Sequence, residues 1–509
     1  MLKKTVHFSC RSSSSWRACC RRHFSSSGSN TAGGVDNRPR RSDALRKFAG
    51  RGQVGSPQRE ILARDGLDAF FVADGVVDSD EAQTFHTSNK MAVVGAACSE
   101  IFTGARLARI MEPALQLELE AHAALVSGEA APCLSIHTSA GVSPELGRFI
   151  EALHPHLPWT GVGSTKNEND NDWCVSLQLE GASAVWAGID LLLQSSHADG
   201  ESMIASKRTK VAVGAHSYHG PPSTCYGSRA PMGANSKPGQ LFYPVPSKLA
   251  MRQGEDEASF HGRIESEFDA FLDAHAHEVG VMLFEPQWGS SCAAQPWPRE
   301  MLRRAIEKAK SRNVRVLCDE IMCGQGRHGQ GECMFVSEAW NLDPDAVTFG
   351  KSIAGGIDAL SGVVMKRGGQ FLGASGRSVM QMHTYSGSSS RALLLAQGVL
   401  AEMPHWFSHV KDMGKECEAV FANLTERSGG AIECHGQGLM WGGLLTTRDP
   451  EKRAVTMAAL RRECIDAGVL PYFVPCGGFM VTPPLDTSRE DLLRALEKLE
   501  TAATRSIAQ

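Results

Sequence analysis

The chain has 509 residues, of which 42% are hydrophobic and 21% are charged, with a formal net charge of −4. This length favours one large domain with a smaller one beside it. The small negative charge argues against nucleic acid as a main partner, and no apolar run approaches the roughly 18–20 residues of a membrane span. The 15 cysteines are scattered and often lie in apolar runs, a pattern typical of reduced thiols and not of a disulfide scaffold.

Residues 1–35 have the composition of a targeting segment. They contain six lysines and arginines and nine serines, and no acidic residue precedes Asp36. This composition predicts an organelle transit peptide. The mitochondrion is the first expectation and the plastid the alternative, and a disordered basic tail is the remaining interpretation.

Residues 36–160 are predicted to form an N-terminal segment that belongs to a small domain. Within it, Leu107–Leu125 has apolar residues at helical spacing. A large domain is expected over 161–404 and a second part of the small domain, of α+β type, over 405–509. Thr165–Asp172 is polar throughout and predicts a surface loop.

From about residue 174, short apolar runs alternate with amphipathic stretches. The predicted strands are Val211–Val213, Val281–Phe284, Val314–Leu317, Ala346–Phe349 and Gly362–Met365. The predicted helices are Ala184–Leu193, Arg299–Arg312, Ser389–Ala401 and Arg489–Ala503. This alternation predicts an α/β fold with a mostly parallel sheet covered by helices.

Two polar residues follow successive predicted strands. Asp319 comes just after Val314–Leu317, and Lys351 comes just after Ala346–Phe349. Ligands of open α/β sheets bind at the carboxyl ends of strands. There, Lys351 could form a Schiff base with an aldehyde cofactor, and Asp319 could keep the nitrogen of a pyridine ring protonated. The ordinary alternatives are a strand-end lysine that reaches solvent and an aspartate in a salt bridge.

Two further features suit a phosphorylated, ring-shaped cofactor. Gly181-Ala182-Ser183 opens a predicted helix, and the free N–H groups of a helix start attract anions. Tyr218 lies in a predicted turn and could stack on a ring, although a core tyrosine is the commoner interpretation.

Two longer motifs carry a family resemblance. Val316–Gly329 reads VLCDEIMCGQGRHG, and Pro344–Gly356 reads PDAVTFGKSIAGG. With these motifs, the chain from about residue 174 to its end resembles the class III (omega-type) aminotransferases, which depend on pyridoxal 5'-phosphate and have fold type I architecture. The supporting matches are Tyr218-His219-Gly220, Glu285-Pro286, His383-Thr384-Tyr385-Ser386-Gly387 and Thr482-Pro483-Pro484-Leu485.

The resemblance implies a role for each matching residue. Lys351 would carry the Schiff base and then move the substrate proton, and Asp319 would pair with the pyridinium nitrogen. Ile321 and Tyr218 would contact opposite faces of the ring. Thr384 would reach the cofactor phosphate across the interface of a homodimer. The other cofactor-binding residues implied are Gly181, Ala182, Ser183, His219 and Glu285.

The chain departs from the family pattern at several positions. Ala182 lacks the hydroxyl that is common at the phosphate site, so the phosphate would depend more on backbone N–H groups and Ser183. Met322 replaces a frequent glutamine, and His435 a frequent arginine. Met480 stands where some subgroups have an arginine that binds α-carboxylates.

Three functional hypotheses follow, and none includes a metal. The cysteines at 318, 323 and 333 lack the Cys-x-x-Cys spacing of zinc sites, so no metal is predicted. The first hypothesis is a ping-pong aminotransferase that moves nitrogen from an amine or omega-amino acid to a keto acid. The second is an aminomutase of the glutamate-1-semialdehyde type, suggested by Glu320-Ile321-Met322 and by a plastid address. The third is a non-catalytic relative that binds the cofactor or a partner.

Overall fold

The computed structural model describes residues 92–93, 98, 101–132, 134, 142–158, 173–194, 207–220, 240–366 and 389–507. All of these residues lie in one compact unit that spans 83–509. The predicted transit peptide (1–35), the predicted loop Thr165–Asp172 and Thr384 lie outside the described residues. The domain boundaries stay predictions.

Each predicted strand and helix is found in the described chain with bounds that differ by a few residues at most, and further strands and helices accompany them. The strands are β1 (Ala92–Val93), β2 (Trp173–Gln178), β3 (Lys210–Gly214), β4 (Gln240–Tyr243), β5 (Val279–Phe284), β6 (Arg315–Asp319), β7 (Ala346–Phe349), β8 (Ser361–Lys366), β9 (Ile432–Gln437), β10 (Met440–Leu445), β11 (Val469–Leu470), β12 (Tyr472–Val474) and β13 (Gly478–Val481). The helices are α1 (Gly104–Ser127), α2 (Pro144–Leu153), α3 (Gly181–Gln194), α4 (Glu257–His275), α5 (Arg299–Ser311), α6 (Val336–Ala339), α7 (Ser390–Glu402), α8 (Phe407–Arg427), α9 (Pro450–Ala467) and α10 (Arg489–Ile507). Within the described ranges, none of these helices has the length and apolarity to cross a membrane.

The largest sheet has seven strands in the order β2-β8-β7-β6-β5-β3-β4. Strand β8 is antiparallel to both of its neighbours, and every other adjacent pair is parallel. Because β2 and β7 both oppose β8, they run in the same direction as the remaining strands. The predicted mostly parallel sheet is therefore confirmed, and six of its seven strands end along one edge.

Both faces of this sheet are covered, as the uninterrupted apolar strands require. Every residue of β5 and β7 is buried. On one face, Val185 and Ile189 of α3 pack with Leu317 of β6. The larger core cluster joins Met282 of β5 to Leu302 of α5. Helices on both faces leave the strand ends as the place where polar side chains can gather.

A second, antiparallel sheet follows towards the C-terminus, in the order β12-β13-β10-β9. The buried Arg327, in the glycine-rich turn after β6, ties this sheet to the larger one. Its guanidinium donates to the carbonyl oxygens of Leu439, at 3.2 Å, and Pro483. Its own carbonyl oxygen accepts a hydrogen bond from the Leu439 N–H at 2.8 Å. The turn after β6 is thereby held to Leu439 and Pro483 through both the side chain and the main chain of Arg327.

The close approach of Gly438 to this turn gives a test of the packing. Gly438 has a φ of +54°, and a Cβ there would overlap the carbonyl oxygen of Arg327. Gly429 has a similar φ of +60°, but a Cβ there would meet nothing within 4 Å. The left-handed backbone alone costs about 1 kcal/mol for alanine, and overpacking adds about 1–3 kcal/mol. We therefore expect Gly438→Ala to lower the free energy of unfolding more than Gly429→Ala, measured by urea denaturation. Equal losses in the two variants would show that the turn is not packed as described.

His328 in the same turn predicts a dependence of stability on pH. Its Nε2 contacts the carbonyl oxygen of Cys333 at 3.2 Å, and its Nδ1 accepts from the Gln330 N–H at 3.1 Å. Burial lowers the pKa of His328 to about 4. In the unfolded chain His328 binds a proton at the ordinary pKa of 6.5, whereas in the folded chain it binds one only near pH 4. Stability from this residue is complete above that pH and is lost as the pH falls towards 4.

We expect the contribution of His328 to lower the free energy of unfolding by about 2 kcal/mol when the pH falls from about 7.5 to about 5. In His328→Asn, which keeps one donor and one acceptor, this part of the pH dependence should vanish. His277→Asn, at an exposed histidine, should leave the pH dependence unchanged. Urea midpoints at the two pH values measure both, and a His328→Asn protein as acid-sensitive as the parent would contradict the assignment.

Candidate active site

Lys351 and Asp319 lie at the ends of neighbouring parallel strands. Asp319 is the last residue of β6 and is paired in register with Thr348 of β7. Two residues after β7 ends at Phe349, Lys351 begins a short 3-10 helix that runs to Ala354. Because β6 and β7 are parallel and adjacent, the two side chains share one edge of the sheet. The structure thus brings together the two residues on which the predicted chemistry depends.

The backbone at Lys351 is unusual for a residue with a side chain. Its φ is +48°, in the left-handed region, which costs of order 1–3 kcal/mol for a residue other than glycine. The lysine is partly buried. Among the described residues, its amine makes no hydrogen bond or ion pair. Strain of this kind persists where the surrounding structure determines the conformation, and it is concentrated at functional sites.

Asp319 is a buried carboxylate with three hydrogen-bond donors. One oxygen accepts from the Thr348 hydroxyl at 2.9 Å and from the Ile321 N–H at 3.2 Å. The other oxygen lies 2.8 Å from Nδ1 of His219. A carboxylate offers about four acceptor positions, so roughly one remains for a further donor. That capacity suits the protonated nitrogen of a pyridine ring.

His219 is fully buried, contacts Asp319 and lies near the charge of a second carboxylate, Glu285. Burial lowers the pKa of His219, but the hydrogen bond to Asp319 and the charges of Glu285 and Asp319 outweigh burial and raise it above the ordinary value. Since the carboxylate can only accept, Nδ1 is the donor in this contact. Nε2 has no hydrogen-bond partner among the described residues although it is buried. His219 therefore supports the negative charge on Asp319.

Glu285 follows β5 directly and holds two backbone groups in place. Its oxygens accept from the N–H groups of Tyr218 at 3.1 Å and Gly289 at 3.3 Å. Burial raises the pKa of Glu285 to about 7, which the nearby His219 opposes. Glu285 thus positions the main chain of Tyr218, whose side chain is partly buried. Placement of Tyr218 over a ring stays a prediction.

Ile321 joins the start of α3 to the end of β7. A Cβ on Gly181 would lie 2.8 Å from Cδ1 of Ile321, and a Cβ on Gly350 would lie 3.4 Å from its Cγ2. The helix start at Gly181-Ala182-Ser183 therefore lies beside the segment that carries Lys351. This contact brings the predicted phosphate-binding residues to the same edge as Asp319 and Lys351.

Several residues of this edge were missed by the sequence analysis. Thr348 is the one polar residue in the buried run AVTF, and this isolated hydroxyl was the signal that could have revealed it. Two other buried groups, the Ser361 hydroxyl and the Gln325 amide nitrogen, have no hydrogen-bond partner in the described part of the chain. Ser361 lies close to Gly350: a Cβ built on Gly350 would be 3.1 Å from the Cβ of Ser361.

Three side chains that depart from the family pattern, Met322, Met480 and His435, pack against other parts of the protein. Met322 fills the space beside Gly289, where a Cβ would lie 2.6 Å from its sulfur. Met480 is fully buried in β13. Nε2 of His435 lies 3.1 Å from the carbonyl oxygen of Cys292, and burial lowers the pKa of His435 to about 4. His435 is therefore neutral and cannot replace the charge of an arginine.

The residues present fit the pyridoxal phosphate that the resemblance implies. Among the residues that the structure describes, the amine of Lys351 and Nε2 of His219 have no partner, and Asp319 retains an acceptor position. Glycine at 181 leaves no Cβ between the helix start and Ile321. In the described ranges, no group of histidine, cysteine and acidic side chains could hold a metal ion.

Comparison with known proteins supports the same assignment. A family model described as aminotransferase class-III matches residues 160–503. The chain is 28% identical over 160 residues to a glutamate-1-semialdehyde 2,1-aminomutase of Thermus thermophilus, covering 31% of this chain and 36% of that protein. It is 24% identical over 274 residues to an alanine/serine racemase of Pyrococcus horikoshii, covering 52% and 56%. It is 30% identical over 135 residues to a 5-aminovalerate aminotransferase of Pseudomonas putida, and the match covers 26% of this chain and 29% of that protein. The matches thus span between about a third and about a half of these relatives.

Solved structures confirm the fold. An omega-transferase from Vibrio fluvialis JS17 superposes with a TM-score of 0.66 at 16% identity, over 82% of this chain and 95% of that one. An amine transaminase from an uncultivated Pseudomonas species, in its PLP-bound form, gives a TM-score of 0.65 at 19% identity, over 81% and 89%. The predicted fold type I architecture is confirmed by these likenesses.

The hydrogen bond from Thr348 to Asp319 gives a test of this arrangement. Thr348→Val removes the hydroxyl and leaves the carboxylate with one donor fewer, a loss worth about 1 kcal/mol. We expect the dissociation constant for pyridoxal phosphate, measured by titrating the apoprotein, to rise about 5- to 10-fold. The matched change Thr446→Val removes a hydroxyl that donates to Gly430 on the exposed surface and should leave the constant unchanged. If both variants bind as the parent does, Asp319 does not contact the cofactor.

Proposed function

The chain belongs to the class III aminotransferases, which use pyridoxal phosphate, and on that premise we propose that it is an amine or omega-amino acid transaminase. The donor gives its nitrogen to the enzyme and leaves as an aldehyde or ketone, and a keto acid then takes the nitrogen in a ping-pong cycle. The observation that supports this proposal most strongly is that Lys351, whose amine has no partner among the described residues, lies at the same edge of the sheet as Asp319, which retains an acceptor position.

Each residue has a separate task in the proposed reaction. Pyridoxal phosphate, when bound, supplies an electron sink for the bonds around the amino-bearing carbon. Lys351 Nζ would hold the cofactor and then carry the proton that leaves and returns to that carbon. Asp319, supported by His219 and Thr348, would keep the ring nitrogen protonated. Glu285 would hold Tyr218 in position through its backbone N–H.

The proposed donor is an amine or an omega-amino acid. Met480 is apolar and buried, and His435 is neutral, so neither supplies a cation for an α-carboxylate, and the carboxylate of the keto acid would be bound by another residue. The partial match to a 5-aminovalerate aminotransferase agrees with an omega-amino acid. We further propose a homodimer in which Thr384 of one copy reaches the phosphate site of the other. The composition of residues 1–35 supports mitochondrial import, with the plastid as the alternative.

An aminomutase is the second candidate, favoured by the match to the Thermus thermophilus enzyme. An aminomutase moves nitrogen within one amino-aldehyde and needs no keto acid. Turnover of glutamate-1-semialdehyde alone would establish this candidate. A strict requirement for an added keto acid would exclude it.

The transaminase proposal predicts two separate half-reactions. Addition of a single amine donor to the cofactor-loaded protein should bleach its visible absorbance, because the nitrogen stays on the enzyme. Subsequent addition of pyruvate, 2-oxoglutarate or glyoxylate should restore the absorbance. No change with any donor and acceptor pair would contradict catalysis and leave the non-catalytic relative as the better hypothesis.

Lys351→Ala should abolish both half-reactions. Removal of the amine leaves no group to attach the cofactor or to move the proton, so turnover should fall by at least about 1,000-fold. Lys415→Ala changes an exposed lysine that is paired with Asp412 and should retain full activity. Absorbance spectra and steady-state rates measure both effects. A Lys351→Ala protein with the parent's spectrum would assign the attachment to another residue.

A further inference from the structure

Glu180 places a carboxylate directly at the start of helix α3. It stands between Gln178, the last residue of β2, and Gly181, the first residue of the helix. Its carbonyl oxygen accepts from the Ala184 N–H at 3.1 Å, which makes Glu180 the residue that begins the helical hydrogen bonding. The side chain is exposed. A carboxylate is attracted to a helix start by the same N–H groups and dipole that attract phosphate.

The side-chain hydroxyl at this helix start is already in use. Gly181 and Ala182 have no side-chain donor, so Ser183 supplies the hydroxyl of the opening Gly-Ala-Ser. The Ser183 hydroxyl donates to Oε1 of Glu180 at 3.4 Å. A phosphate bound here would have to take this donor from Glu180 and would lie near its negative charge.

A second observation marks this edge as a place for a polar ligand. Ser361 of β8 is fully buried, and its hydroxyl has no partner in the described part of the chain. Ser361 is paired in register with Gln178, two residues before Glu180. Its Cβ lies 3.1 Å from the position of a Cβ on Gly350, beside Lys351. A buried donor without a partner among the described residues therefore lies on the strand next to the one that leads into the start of α3.

We propose that Glu180 competes with the cofactor phosphate for the start of α3 and so sets how tightly the protein holds the phosphorylated cofactor. The inference rests on the proposed cofactor site and assigns Glu180 a role in affinity and not in the chemical step. Neutralising Glu180 removes a like charge from beside a phosphate that carries nearly two, and it frees the Ser183 hydroxyl. The affinity should therefore change for a cofactor with a phosphate group and not for one without it.

The test compares Glu180→Gln with the parent in the full-length protein. Apoprotein is titrated with pyridoxal phosphate and, separately, with pyridoxal, which lacks the phosphate, and the cofactor absorbance is followed. We expect the dissociation constant for pyridoxal phosphate to fall about 3- to 10-fold, while that for pyridoxal stays the same. Glu490→Gln removes an exposed carboxylate from the first turn of another helix, α10, and should change neither constant.

A second variant isolates the contribution of Ser183. In the parent, Ser183→Ala should weaken the binding of pyridoxal phosphate less than it does in Glu180→Gln, since Glu180 competes for the hydroxyl in the parent. In the Glu180→Gln background, Ser183→Ala should cancel part of the gain. Inorganic phosphate should compete with pyridoxal phosphate more strongly in Glu180→Gln than in the parent.

Two results would overturn the inference. Unchanged or weaker binding of pyridoxal phosphate by Glu180→Gln would show that Glu180 does not oppose the phosphate. An equal gain for pyridoxal would assign the effect to the helix and not to the phosphate. If the parent attaches pyridoxal phosphate at Lys351 while either result is found, only the inference fails. A parent that binds no pyridoxal phosphate would defeat the proposed function as well.

Discussion

The buried carboxylate of Asp319 is the constraint on which the rest of the site depends. Removal of a carboxylate from water costs several kcal/mol unless donors surround it. Here two donors come from other segments, the His219 ring after β3 and the Thr348 hydroxyl on β7, and the third is the Ile321 N–H just beyond Asp319. The first two contacts therefore fix their segments relative to the end of β6. The carboxylate organises the edge of the sheet before any ligand arrives.

Strand direction explains why these segments can meet. Six of the seven strands of the large sheet end along one edge, so residues that are 100 positions apart, His219 and Asp319, come within 2.8 Å. Helix α3 starts at this edge as well, and Gly181 allows it to touch Ile321. The same geometry explains why Glu180 would compete with a phosphate, because a helix start attracts a carboxylate of the chain as well as a bound phosphate.

The sequence predicted the framework of the site better than its contacts. Apolar runs with a polar residue at the end predicted Asp319 and Lys351 as neighbours, because strand periodicity and the carboxyl-end rule both act locally. The hydrogen bond from Thr348 to Asp319 depends on the register of β6 and β7, which no local pattern determines. The hydrogen bond from Ser183 to Glu180 was missed, because a hydroxyl at a helix start suits a phosphate and a neighbouring carboxylate alike. Thr384 and the dimer interface stay predictions.

The central claim is that Lys351 is the residue to which the cofactor attaches. The most direct measurement is borohydride treatment of the protein loaded with pyridoxal phosphate, which converts a lysine–cofactor linkage into a stable amine, followed by mass spectrometry of its peptides. The account predicts a phosphopyridoxyl group on the peptide that contains Lys351 and on no other lysine. A label on a different lysine, or no label on a protein that has bound the cofactor, would contradict it.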